Sequence, residues 1–207
     1  MNLKSVRQYR QLAQFSLPGD EKRIDTDYYI EGYAATWDRY MLYEDLDGAP
    51  IYEQFSKDAF ANTDMSDIIL QFDHEGPVFA RKSNGTLIVE PDDKGLFVAA
   101  DLSRTDRGKE LFDEISQGMI TKMSWGFRPG EYDYDKNTRT IIHRSIKKIF
   151  DVSAVSLPAN EGTEIHTRSF ANGAIGEAAQ ELRNKFISKI GLKIKSVIGQ
   201  KEKKNEP

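Results

Sequence analysis

Thr86-Leu87-Ile88-Val89-Glu90 and Leu96-Phe97-Val98-Ala99-Ala100-Asp101-Leu102, joined across Pro91 by Asp92-Asp93-Lys94-Gly95, decide the class of fold. Both runs are short and apolar, and the acidic, glycine-ended connector is turn chemistry, so the stretch reads as a β-hairpin. Strand-like runs continue on either side. Upstream lie Tyr28 to Ala35 and Ile68 to Phe72; downstream lie Met123 to Phe127, Thr138 to His143 and Ser145 to Val155. Residues 38–50 read as an acidic loop, with Asp47-Gly48 and Pro50 as turn signals. One helix is clear in the body. Leu111, Phe112 and Ile115 share a face between Thr105 and Gln117, and Gly118 stands where a helix ends. Strands mostly follow strands. The expected fold is therefore mostly β with flanking helices, a closed or partly closed β-barrel of about seven strands.

The ends differ from this body. Residues 1–27 are polar and read as a lead-in; 28–170 form the body; 171–207 read as a linker, Ala171-Asn172-Gly173-Ala174, followed by a basic amphipathic helix. Leu182, Phe186, Ile190, Ile194 and Val197 make that helix's apolar stripe. Residues 181–207 carry eight Lys/Arg against three acids, hence +5 of a total of −4, which leaves −9 on the rest. An acidic body argues against a nucleic-acid groove there. The chain has no cysteine, so thiolate zinc sites, disulfides and a cysteine nucleophile are excluded, and a disulfide-free domain suits a cytosol. Met1 to Leu17 lacks the apolar core of a signal peptide, and no run approaches the roughly 20 apolar residues of a membrane span. No HExxH and no glycine-rich phosphate loop is present, so neither a metal nor a cofactor is expected.

Chemistry concentrates at few residues. There are three histidines, His74, His143 and His166. His74 follows the apolar run 68–72 and precedes Gly76-Pro77; it is either a surface-turn residue or a side chain presented at a strand end. Ser124 sits in an apolar, aromatic strand beside Gly126; it is either a small core residue or a nucleophile awaiting a histidine base. Asp151, between Phe150 and Val152, is costly to bury alone. Its partner is either a lysine, Lys147 or Lys148, or the second nitrogen of a histidine. His143 competes for that third place, and His166 lies in a polar stretch.

At these residues the chain resembles the prohead maturation proteases of tailed phages with HK97-type capsids. Ile30-Glu31-Gly32-Tyr33-Ala34-Ala35 resembles the family's opening strand. Glu53-Gln54-Phe55 with Asp58-Ala59-Phe60 resembles its E-x-F…G-A-F segment, and Phe72-Asp73-His74 its histidine motif. Gly118-Met119-Ile120 through Met123-Ser124-Trp125-Gly126-Phe127 resembles its serine motif. Phe150-Asp151-Val152-Ser153-Ala154-Val155 with Pro158-Ala159-Asn160 resembles its ending. Asp151 stands where the family carries Glu, and Asp58 where it carries Gly. The resemblance implies a herpesvirus-protease-like fold and a serine endopeptidase with His74, Ser124 and Asp151 as the catalytic set. A second histidine, as in the herpesvirus clan, keeps His143 as the alternative third member. It implies cleavage of the scaffold or delta segment of the major capsid protein, and of the protease itself, inside the assembling procapsid in the host bacterial cytoplasm. A homo-oligomer fits that setting, and neither nucleic acid nor membrane is an expected partner. Oxyanion donors are expected among the amides of Ser156 to Gly162. The rival expectation is a non-catalytic assembly or scaffolding factor that uses the same barrel for binding; a non-protease acyl hydrolase is a weaker one.

Overall fold

The computed structural model describes residues 7–16, 22–45, 47–156 and 161–202. They form twelve strands and two α-helices. The strands are β1 (Gln8–Ser16), β2 (Tyr29–Thr36), β3 (Tyr40–Glu44), β4 (Pro50–Phe55), β5 (Ile69–Phe72), β6 (Glu75–Arg81), β7 (Leu87–Pro91), β8 (Gly95–Asp101), β9 (Lys122–Pro129), β10 (Tyr132–Asp135), β11 (Thr140–His143) and β12 (Ile146–Val155). The helices are α1 (Asp106–Ser116) and α2 (Glu161–Glu202).

Eight strands run in the order β6-β5-β12-β9-β1-β2-β8-β7, and four more in the order β10-β11-β4-β3. The hairpin expected over 86–102 is β7–β8, paired from Leu87↔Ala100 to Pro91↔Leu96. Every residue of β8 is buried, as its unbroken apolar run requires. Thr105 caps α1 by accepting a hydrogen bond from the Gly108 amide at 3.0 Å, and Gly118 follows the helix with φ +72°.

Three expectations need correction. The described strands do not close into a barrel: the eight-stranded sheet is open, with β6 and β7 at its edges, and there are twelve strands rather than about seven. The polar lead-in contains a central strand. β1 pairs with β9 from Gln8↔Phe127 to Gln14↔Lys122, with a bulge between Gln11 and Ala13, and with β2 at Phe15↔Gly32. Its polar sequence hides it: Arg10, for example, is buried by pairing with Glu53. The stretch expected as a linker lies inside α2, where Phe170, Ala171 and Ala174 bury against Tyr43, Ile51 and Ile141. Likewise β3 occupies part of the expected acidic loop.

Strand alternation divides the sheet into two faces. Met123, Trp125 and Phe127 of β9, with Val152 and Ala154 of β12, enter the main core. Phe55 lies 5.3 Å from Trp125 and 5.7 Å from Phe127, edge to face, so β4 packs onto that same side. A charged clamp joins the two sheets there. Arg10 of β1 donates from Nε and Nη2 to the Glu53 carboxylate at 2.5 and 2.8 Å, Tyr40 donates to the same group, and His143 Nε2 meets it at 2.8 Å. Glu53 and His143 have no exposure and Arg10 3%. Burial works to protonate Glu53, but Arg10 and His143 outweigh it and hold the carboxyl well below the usual range.

Removing one partner of such a set leaves a charge stranded in the core. Glu53→Ala is therefore expected to cost about 3–5 kcal/mol in unfolding free energy, read by urea denaturation. A loss under about 1 kcal/mol, the level of an exposed pair, would show that the clamp carries no stability.

Candidate active site

The opposite face of the sheet carries the polar residues of the same strands. Ser124 of β9 lies directly across from Ser153 of β12, and Gly126 across from Asp151. Ser124 is 5% exposed, while Asp151 and Ser153 are fully buried. On the neighbouring strand β1, Tyr9 pairs with Gly126. Register alone thus gathers Ser124, Ser153 and Asp151 on one patch.

His74 reaches this patch from the β5–β6 hairpin, where Phe72 pairs with Glu75 and Asp73-His74 form the two-residue turn. Both turn residues have left-handed backbone, φ 46° and 63°, the hand that a tight hairpin of twisted strands demands. For non-glycine residues this is strained, on the order of 1–3 kcal/mol each. Contacts with β12 and the residue after it hold the strain. The Asp73 amide donates to the Ala154 carbonyl at 2.9 Å and the His74 amide to Ser153 Oγ at 3.2 Å. The Asp73 carboxylate accepts from the Ser156 amide and hydroxyl at 3.1 and 2.9 Å.

The result is a continuous hydrogen-bonded chain. Ser124 Oγ lies 2.6 Å from His74 Nε2, and His74 Nδ1 meets Asp151 Oδ2. That oxygen also accepts from Ser153 Oγ at 2.9 Å, and Arg7 forms an ion pair with Oδ1. A Cβ on residue 126 would fall 2.3 Å from Asp151 Oδ1, so glycine there makes room for the acid. The Tyr9 ring packs 4.3 Å from the imidazole. Burial pushes His74 down to about 4, the Arg7 charge pushes the same way, and Asp73 opposes. The imidazole is neutral at pH 7, so Nε2 can accept a proton from Ser124 while Nδ1 donates to Asp151.

The other sequence expectations sort themselves by contact. His143 is committed to Glu53 and stacks on Phe55 and Phe170, away from the Ser124 chain. Lys148 pairs with Asp64 rather than Asp151. The side chain of His166 and residues 157–160 lie outside the described residues, and the Ser156 amide is already donated to Asp73. Sequence reading missed Ser153, Arg7 and Tyr9. Ser153 stands two residues from Asp151 in an apolar strand, a signal that was there to use; Arg7 and Tyr9 carry none. Among the described residues no group of three His, Asp or Glu could hold a metal, and no helix is long and apolar enough to cross a membrane.

A serine, a neutral histidine and a buried carboxylate linked in this order form the array of serine peptidases and related acyl hydrolases. Comparison narrows that class. Residues 16–175 match the caudovirus prohead serine protease family, and the chain belongs to it. The prohead protease of Enterobacteria phage HK97 is 27% identical over 174 residues, spanning 82% of this chain and 72% of that relative. No solved structure matches the chain.

Protonation of His74 is disfavoured in the fold relative to the free value near 6.5. By nuclear magnetic resonance the His74 ring is therefore expected to titrate near pH 4. Because the unfolded chain takes up that proton first, folding stability should decline as pH falls from about 6.5 toward 4. A ring midpoint between 6 and 7 would contradict the burial and Arg7 effects together.

Proposed function

We propose that Ser124, His74 and Asp151 are the catalytic residues of this prohead serine protease. Ser124 Oγ attacks the scissile carbonyl as His74 Nε2 takes its proton. The same proton passes to the leaving amine, giving an acyl-enzyme, and His74 then activates the water that releases the acid product. Asp151 holds Nδ1–H and stabilises the imidazolium that forms. The observation that carries the reading is the 2.6 Å contact between Ser124 and His74, residues fifty positions apart that have no structural need to meet. The rival assembly-factor reading offers no reason for a strained turn to hold a neutral histidine against a buried serine.

The substrates in this reading are the scaffold or delta segment of the major capsid protein and the protease itself, within the procapsid in the host cytoplasm. The exposed stretch 179–190 of α2 provides a route of delivery. The turns before it are anchored: Tyr43 donates to Asn172 at 2.9 Å and Tyr132 to Glu177 at 2.8 Å. Beyond that, Leu182, Phe186, Ile187 and Ile190 are exposed, between 41% and 65%, among lysines. An acidic, partly apolar capsid segment suits that face, with salt-dependent steering. Within that reading the linker-like stretch 171–174 is a poor site for self-cleavage, because Ala171 is fully buried within the helix.

Co-expression with the capsid protein, read by mass spectrometry, tests both points. Ser124→Ala should fold and assemble but leave capsid protein and protease uncleaved, since loss of the nucleophile costs on the order of 10⁶ in turnover. A chain ending at Gln180 should still cleave a short peptide, yet enter capsid assemblies poorly and lose less on raising salt. Processing by well-folded Ser124→Ala would overturn the catalytic assignment, and equal incorporation of the truncated chain would remove the docking role.

A further inference from the structure

Arg7 precedes the matched family region and stands outside the Ser124–His74–Asp151 chain. Its surroundings are nevertheless shaped to it. The guanidinium pairs with Asp151 Oδ1, the oxygen that neither His74 nor Ser153 uses. It lies over Phe150 at 4.6 Å and over Tyr9 at 5.0 Å, and Tyr9 in turn packs against the His74 imidazole. At Gly126 a Cβ would approach Arg7 Nε and Nη2 to 2.8 and 2.9 Å, as well as Asp151 Oδ1 to 2.3 Å. Glycine at that position therefore clears space for the pair, not for Asp151 alone. Four segments converge on it: Arg7 and strand β1, Gly126 on β9, Asp151 on β12 and His74 on the β5–β6 turn.

We propose that Arg7 is a positioning residue of the reaction: it keeps Asp151 ionised and turned toward His74, so that docking of the N-terminal strand on β9 completes the active site. The inference rests on the catalytic reading above. A fully buried carboxylate that loses its cation either takes up a proton or turns toward another donor. Either change frees Nδ1 of His74 from its acceptor. The charged and titratable groups facing the imidazole are Asp151, Asp73, Arg7 and Tyr9; those facing Asp151 are His74, Ser153 and Arg7. Two other cations lie at the Phe150 ring, Arg128 at 5.3 Å and Lys148 at 5.8 Å, and Lys148 is held by Asp64. Arg7 also opposes a second positive charge on His74, so its removal makes the imidazole easier to protonate.

The test is the rate at which a fluorophosphonate modifies Ser124, followed across pH in full-length wild type, Arg7→Gln, Arg7→Lys and Ser124→Ala. Arg7→Gln should fall roughly 10- to 100-fold, by analogy with the loss of a group that orients a metal-bound side chain. Its acidic limb should move to higher pH, and added guanidinium ion should restore part of the rate. Arg7→Lys should lie between the two, keeping the charge without the planar fork. Wild-type rate and pH limb in folded Arg7→Gln overturn the inference, as does a slowed enzyme whose limb has not moved. If Arg7→Gln does not fold, Arg7→Lys decides by its rate, and a wild-type rate overturns the inference. Modification that persists in Ser124→Ala would instead sink the catalytic reading, while an inert Ser124→Ala beside a wild-type Arg7→Gln sinks only the role of Arg7.

Discussion

Asp151 is a carboxyl group with no access to water, set on the polar face of the eight-stranded sheet. A lone carboxylate in that position costs several kcal/mol, and the local structure answers that constraint. Ser153, two residues along the same strand, donates to one oxygen; Arg7 pairs with the other; Gly126 on the facing strand gives up its side chain so both fit. His74 completes the set, and to reach it the β5–β6 turn adopts left-handed backbone at two non-glycine residues. The acid thus supports a strained turn, and the turn delivers a neutral imidazole to Ser124 at 2.6 Å.

A second buried acid performs a different task on the other face. Glu53 ties β4 to β1 through Arg10 and fixes His143 between the rings of Phe55 and Phe170. The two networks meet at β1, because Tyr9, with Arg7 just before the strand, serves the Asp151 side while Arg10 serves the Glu53 side. One polar strand near the start of the chain therefore supports both the candidate site and the junction of the two sheets. His143 and Glu53 are thus both committed to the junction of the two sheets.

Much of this was legible in the sequence, and the failures share a cause. The β7–β8 hairpin, helix α1 and strands β9 and β12 announce themselves by apolar runs and turn chemistry, since burial on an apolar core selects such residues. Ser124, His74 and Asp151 stood out as polar residues in apolar or strand-end settings. Strands β1, β3 and β10 did not, for Gln8-Tyr9-Arg10-Gln11 and Tyr132-Asp133-Tyr134-Asp135 are held by ion pairs, ring contacts and register rather than by alternation. Arg7 is invisible for the same reason: its meaning lies entirely in what the fold brings against it. Ala171-Asn172-Gly173-Ala174 read as a linker because small residues loosen free chains, yet small residues also let a helix lie close to a sheet, which is how α2 uses them.

In the proposed mechanism the buried acid at Asp151, not His143, orders the imidazole that activates Ser124. This assignment is tested most directly by measuring peptide cleavage per folded molecule in Asp151→Asn and His143→Ala side by side. Asparagine preserves the shape but can hold His74 in the wrong tautomer, so cleavage should fall by a factor on the order of 10⁴, whereas His143→Ala should lose stability and keep its rate. An inactive His143→Ala enzyme beside an active Asp151→Asn would contradict the account and move the site to a serine with two histidines.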